Sequence, residues 1–454
     1  MAIYLLLCRL CYAAVTLPGI QDFKDKGIAV QQLKYLIFTL TLICVLNSAA
    51  LAATPLVVKA SRYLDVQSGE VISPAVFVVE GGLIAGINPQ SLPDDARILE
   101  LGDLTLLPGF MDMHSHVTLD YFNDDHWTTA PVMETSADWA LHGVKFGLEM
   151  LEAGFTTVRD AGGFPGFPDV ALMRAIDKGH VVGPRMFPAG HYISITGGHC
   201  DITGFAPGIQ ELGPKQGIAD GKAELLKAIR YQAKHGVKVI KVCATAGVFS
   251  KGDSPGAQQY SDEELNIIVE ESSRHGLKVM AHAHGSEGIM AAVKAGVASI
   301  EHGSMLTPEI VEEMKARGTY YVPTIHLNDL PLPPETPSWT VKKNEFLKPH
   351  VENSFRLALK HNIKIALGSD AGVMQHKDAR LEFYAMVKRG MSPLHAIQSA
   401  TVNAADLLGV SDRGQLKTGM LADMVAVSGH PLEDIQTLED VKVVIKGGKV
   451  IKGD

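Results

Sequence analysis

The chain has 454 residues, 46% hydrophobic and 20% charged, with a net charge of −9. That supplies a large buried core, excludes general disorder, and allows one large domain or two to three smaller ones. No Lys/Arg-rich stripe is present, which argues against a nucleic-acid partner.

The first 52 residues read as a signal peptide with an N-terminal extension, not as part of the fold. Lys34 precedes the apolar run Leu36 to Leu46, and small residues around Ala50 to Ala52 follow. This is the layout of a secretory signal cut after Ala52, so the chain is expected to be exported, periplasmic or secreted. The apolar run is too short for a stable bilayer span. An earlier run, Ile3 to Val15, is broken by Arg9, and the true start is expected further in, at Val30. Cleavage removes Cys8, Cys11 and Cys44 and leaves Cys200 and Cys243. A disulfide framework is thereby excluded. One bridge is allowed in an exported protein, and two unpaired buried thiols are the preferred expectation.

Residues 53–105 read as short strands: Leu56 to Lys59, Ala75 to Val79 and Leu83 to Ile87, with Gly81-Gly82 as a turn. The far end, 405–454, looks alike, with apolar runs Asp423 to Val427 and Val441 to Ile445, and Gly447-Gly448 before Val450-Ile451. Neither end is long enough to fold alone, so the two are expected to pair as one small β-sandwich domain.

Between them, 106–404 alternates strand and helix. The stretch Leu106 to Val117, LLPGFMDMHSHV, opens with an apolar run to Met113 that reads as one buried strand. Further strands are expected at Thr156 to Asp160, Arg185 to Ala189, Val237 to Val242, Leu277 to Ala281, Val297 to Ile300, Thr319 to Val322 and Ile363 to Leu367. Helices are expected at Lys222 to His235, from Ser261 (with Glu264 as a capping box) to Gly276, and from Thr307-Pro308 to Gly318. Eight strands alternating with helices indicate an α/β chain built as a (β/α)8 TIM barrel. A doubly wound open sheet is the alternative, disfavoured because no Gly-rich phosphate loop follows the first strand.

In such barrels chemistry sits where strands end. His114 and His116, two apart in an extended chain, project to one side and make half a metal site. Lys241 lies inside an apolar strand, where an unpartnered charge is costly. His282 and His284, Glu301-His302 and Asp370 end three further strands. Ligand-type residues at the ends of so many separate strands point to one metal centre.

These residues, with TTVRDAGG at 156–163, TGGH at 196–199 and GQLKTGMLADMV at 414–425, resemble the amidohydrolase superfamily. The likeness covers essentially the whole mature chain. Within the superfamily the chain is most similar to the imidazolonepropionase-like branch, which holds Xaa-Pro dipeptidases, carboxypeptidases and ochratoxin-hydrolysing amidases. The resemblance implies two divalent metal ions, usually zinc. His114 and His116 would bind one with Asp370, and His282 and His302 the other. Lys241, carboxylated by CO2, would bridge them. It also implies a shared hydroxide as nucleophile, Asp370 as proton carrier, and His284 with the metals as stabilisers of the oxyanion.

His199 is a candidate substrate contact; His191 and Tyr192 in the same loop, and His326 after the seventh strand, are weaker ones. His142 is expected on a helix surface, and Arg159 with Asp160 as a structural ion pair. The resemblance implies hydrolysis of a dipeptide or N-acyl amino acid that releases a C-terminal amino acid, with ochratoxin A compatible, and assembly into a homo-oligomer. The long loops hold no obvious acidic cluster, which disfavours a basic leaving residue. A mononuclear imidazolone hydrolase or deaminase lacks the lysine, so Lys241 argues against it. A lactonase or phosphotriesterase uses the same bridged pair and stays open. A non-catalytic binding protein on a dead barrel would be expected to have lost ligands, and all six are present.

Overall fold

The computed structural model describes residues 54–120, 129–250, 254–332, 334 and 336–453. The expected signal segment, 1–52, lies outside the described residues. Those from Pro55 onward fall in one unit.

The two chain ends form two sheets. A four-stranded sheet runs in the order Leu83–Ile87, Ala75–Glu80, Leu56–Ala60, Arg97–Glu100. A six-stranded sheet runs in the order Lys449–Lys452, Val441–Lys446, Met424–Ser428, Leu104–Pro108, Arg62–Leu64, Val71–Ile72. In the second, Leu106 pairs antiparallel with Ala426, so strands from both ends of the chain share one ladder. Val58 and Phe77 of the first sheet and Leu106, Met424 and Ile445 of the second join one apolar cluster. Burying those side chains rewards the long-range pairing, since each fully buried one contributes roughly 1.5–3 kcal/mol.

The apolar run Leu106 to Met113 is not one strand. Leu104–Pro108 belongs to the chain-end sheet, and Phe110–Ser115 pairs in parallel with Phe155–Asp160. The chain changes sheet at Gly109. A Cβ there would lie 2.3 Å from Thr156 Oγ1, so only glycine leaves room for the Thr156 side chain.

From Phe110 on, parallel strands alternate with helices. One ladder holds Phe110–Ser115, Phe155–Asp160 and Arg185–Pro188; a second holds Val239–Cys243, Lys278–Ala283, Ser299–His302 and Tyr320–Val322. The eighth expected strand is reduced to a single parallel bridge from Ile365 to Tyr321. Its backbone still serves the first strand: Met113 donates to Leu367 O at 2.8 Å, and Asp370 donates to His114 O at 2.7 Å. The helices fall where their signals place them. Ser261 accepts from Glu264 N ahead of Asp262–Arg274, a capping box. Gly318, at φ 73°, ends Pro308–Arg317 in the left-handed region that a side chain resists. Among the described residues no helix is long and apolar enough to cross a membrane.

Cys200 and Cys243 form a disulfide, with Cα atoms 6.1 Å apart. The expectation of two free thiols fails for a reason of tertiary pairing. The segment before Cys200 runs along the strand that carries Cys243: Ile193 donates to Lys241 O at 2.8 Å and Cys243 donates to Ile193 O at 2.9 Å. That brings residues 43 apart in sequence within bridging range.

Candidate active site

All six expected metal ligands come together at one end of the parallel strands. His114, His116 and Asp370 place ligand atoms within 4.8 Å of one another. Asp370 Oδ1 lies 3.4 Å from His114 Nε2 and 3.3 Å from His116 Nε2. Lys241 Nζ reaches His114 Nε2 at 3.5 Å. The His302 ring centre lies 4.9 Å from that of His114 and 4.8 Å from that of His282. His114, Lys241, His282 and Asp370 are buried.

Donors this close and this dry carry orphaned atoms. His282 Nε2 and Asp370 Oδ1 have no hydrogen-bond partner although both are buried. Such atoms are costly unless something binds them. A set of imidazoles and a carboxylate suits zinc or a similar divalent ion, so the residues fit such a centre.

The partners on the far side of each ring aim it inward. His114 Nδ1 meets Glu301 Oε2 at 2.8 Å. His116 Nδ1 donates to Gly162 O at 2.7 Å. His302 Nδ1 meets Thr324 Oγ1 at 2.8 Å. Each arrangement leaves Nε2 turned to the centre, the usual way a ligand histidine is held. Glu301 is itself gripped by Arg159, whose Nη2 reaches Oε1 at 2.9 Å. Arg159 thus pairs with Glu301 and not with Asp160. Neighbouring side chains on a strand face opposite ways, and Asp160 instead accepts from Val117 N and Gly162 N.

Backbone strain coincides with the centre. His302, Thr324 and Asp370 hold φ of 66°, 48° and 60°. A non-glycine residue there costs of order 1 kcal/mol or more, and such residues cluster at functional sites.

Burial shapes the charges. It pushes the Lys241 ammonium down to about 8, while Glu301 and Asp370 draw it back up. It also keeps His116, His282 and His302 below the ordinary histidine range, so the rings are neutral. Burial lifts the Asp370 carboxyl, but His114, His116 and His302 outweigh that and hold it well below the carboxylate range. Neutral rings and an ionised carboxylate are the protonation states a cation requires.

The other candidates divide. His284 lines the cavity, its ring centre 5.2 Å from that of His302, and its Nδ1 meets Ser304 Oγ at 2.6 Å. His199 lines it too, stacked on His282 at 4.2 Å, and Tyr192 lines it with its hydroxyl donating to Gly162 O at 3.1 Å. His191 and His326 are not among the lining residues. His191 Nδ1 meets Lys215 O at 2.9 Å, its Nε2 accepts from Gly166 N, and its ring stacks on Phe167 at 4.0 Å. His326 sits in the turn Ile325–Asp329 with neither ring nitrogen hydrogen-bonded. His142 is exposed on Ser136–Glu152, as expected.

The cavity beside the centre measures about 330 Å3, a size for small molecules. Its outer wall, missed in the sequence, includes Phe164, Phe205, Phe249 and Trp339. These come from separate segments with no shared periodicity, so the sequence carries no signal that groups them.

The amidohydrolase family model matches residues 105–451. The ochratoxinase of Aspergillus niger is 37% identical over 417 residues, covering 85% of this chain and 84% of that protein. The chain belongs to the amidohydrolase family. Among solved structures, a Xaa-Pro dipeptidase with bound methionine in the active site is 36% identical, with a TM-score of 0.82, covering 88% of this chain and all of the other. A prolidase complexed with N-methylphosphonate-L-proline is 30% identical, with a TM-score of 0.78 and the same coverage. The amidohydrolase fold is α/β of the TIM-barrel type, and this chain is a hydrolase acting on amide bonds. Metal dependence is typical of the family, and His114, His116 and Asp370 form a group able to hold an ion.

Proposed function

We propose that the chain hydrolyses an amide or peptide bond so as to release a C-terminal amino acid, using a two-metal centre. Dipeptides and N-acyl amino acids are the substrate class, with ochratoxin A a compatible member. The observation that carries this reading is Lys241. A single-ion site needs three or four ligands and has no use for a lysine, yet Lys241 is buried with its Nζ 3.5 Å from His114 Nε2 and near enough to His282 and His302 to lower the pKa of both rings. Carboxylated by CO2 it would lose its positive charge and offer oxygen ligands to the centre, which answers its burial. His114, His116 and Asp370 would hold one ion and His282 and His302 the other, zinc being the ion that best suits them. Bound there, the pair would supply Lewis acidity and an acidified water.

The chain's own groups do the rest. Asp370, ionised, takes the proton of the attacking water on its carboxylate and returns it to the leaving nitrogen. His284 is held neutral by burial, down to about 3. Its Nδ1 meets Ser304 Oγ; we assign the hydroxyl as donor there, which leaves the imidazole proton on Nε2 to donate to the carbonyl oxygen as negative charge develops. The apolar cavity wall excludes water and strengthens that donation.

The sequence reading of export, of a closed barrel and of a chain-end sandwich belongs to the same proposal. The Cys200–Cys243 disulfide supports an oxidising compartment. The hydrogen bonds from the eighth segment to the first strand support closure. The apolar cluster shared by the two chain-end sheets supports the sandwich. The test is a screen of dipeptides, N-acyl amino acids and lactones, with metal content measured on the same preparation. Release of a free amino acid by a preparation holding two ions is expected. Turnover of lactones with no N-acyl amino acid cleaved would contradict the reading.

A further inference from the structure

Among the described residues, one buried ammonium sits outside the metal centre. Lys343, in the helix Ser338–His361, is 9% exposed. Its Nζ donates to Gly247 O at 3.2 Å and to Ser250 O at 2.6 Å. It also lies 5.7 Å from the centre of the Trp339 ring, one helical turn earlier. Ser250 Oγ closes the same turn onto Gly247. Between the two anchored carbonyls stand Val248 and Phe249, both lining the cavity, as Trp339 does. Phe249 is 39% exposed.

Nothing in an apolar wall requires a cation, and burying one is costly unless its donors are used. Here at least two are spent on backbone carbonyls of one turn. The cavity's described lining has one cation, Lys241, and two acids, Asp201 and Asp370. Lys241 and Asp370 belong to the metal centre. Asp201 accepts from Gly197 N and Ile202 N and closes its own loop. Among the described lining residues, a charged substrate group reaching the outer wall would meet aromatic faces and no counter-charge.

We propose that Lys343 is a specificity-setting positioning residue: by pinning the Gly247–Ser250 turn and the Trp339 ring together, it builds a wall that selects substrates with a large, uncharged aromatic or aliphatic group away from the scissile bond. The proposal rests on the amide-hydrolase reading for what such a substrate undergoes, but not for whether it binds.

The test is calorimetric titration of the full-length, metal-loaded protein with naphthylacetate and with acetate, neither of which has an amide to cleave. Wild type should bind naphthylacetate at least tenfold more tightly than acetate, about what one well-packed aromatic contact gives. Lys343→Met keeps the alkyl stem and removes the donors. It should lose that preference, with acetate affinity and metal content unchanged. Lys343→Gln, which keeps amide donors for the same carbonyls, should retain part of it. Phe249→Ala should lose it as well. An intact preference in Lys343→Met would overturn the proposal. So would loss of acetate affinity and metal in both Lys343 variants, which assigns the residue to the fold alone. A chain that cleaves no amide would defeat the proposed function and leave this titration standing.

Discussion

At the scale of single residues, the centre depends on groups that do not touch the metal position. Glu301 orients His114 and is held in turn by Arg159. Glu301→Gln keeps the shape but replaces an anion with a neutral amide beside both. Loss of such an outer partner typically costs 10–100-fold in metal affinity or activity. That range is expected here, read as the metal dissociation constant against a competing chelator; wild-type affinity would remove Glu301 from the account. That these six side chains converge was legible because each lies within or at the end of an apolar stretch, where an ionisable group needs a reason to be. Arg159 was misassigned to Asp160 because adjacency in sequence is a poor guide on a strand, where its true partner lies 142 residues away.

At the scale of elements, the loops after the strands tune the site. His199 packs over Gly247 so closely that a Cβ there would lie 2.3 Å from its Cε1. Gly247→Ala should therefore displace His199 from its stack on His282 and lower kcat/KM, with metal content retained. Unchanged kinetics would show that His199 has no part in turnover. The turn after the seventh strand hangs on Glu382, whose carboxylate accepts from Ile325 N at 2.7 Å and His326 N at 2.8 Å. That turn follows Thr324, the partner of His302.

Burial raises the Glu382 carboxyl from its ordinary 4.5 to about 8. The folded state therefore keeps a proton that the unfolded chain releases. This contribution is full below pH 4.5 and is lost as pH rises toward 8. Denaturation across that window should show stability falling with pH in the wild type and a flatter course in Glu382→Gln. Identical slopes would contradict the assignment. Helix ends were legible from Ser261, Glu264 and Gly318, because capping is local chemistry. The split of Leu106 to Met113 was not, because both halves are apolar and only the neighbours, Ala426 on one side and Thr157 on the other, distinguish them.

At the scale of the whole molecule, a buried carboxylate helps tie the chain-end strands to the parallel strands. Asp423, beside the strand Met424–Ser428, meets Arg185 of the third parallel strand at 3.0 Å. It also accepts from Gly447 N at 2.7 Å. Asp423→Ala leaves that N–H and the guanidinium unpartnered, at roughly 1–3 kcal/mol for the stranded groups. A lowered melting temperature with unchanged metal content is the expected result; metal loss would mean that this junction shapes the centre. The pairing of the two chain ends was legible from their like patterns of short apolar runs and paired glycines. The Cys200–Cys243 bridge was not, because a thiol's partner is set by which loop runs beside which strand.

The measurement that bears most directly on the account is the divalent-ion content of the purified chain beside its Lys241→Ala variant. Two ions per wild-type chain are expected, and less than one in the folded variant. One ion in the wild type, undiminished without the lysine, would contradict the two-metal reading.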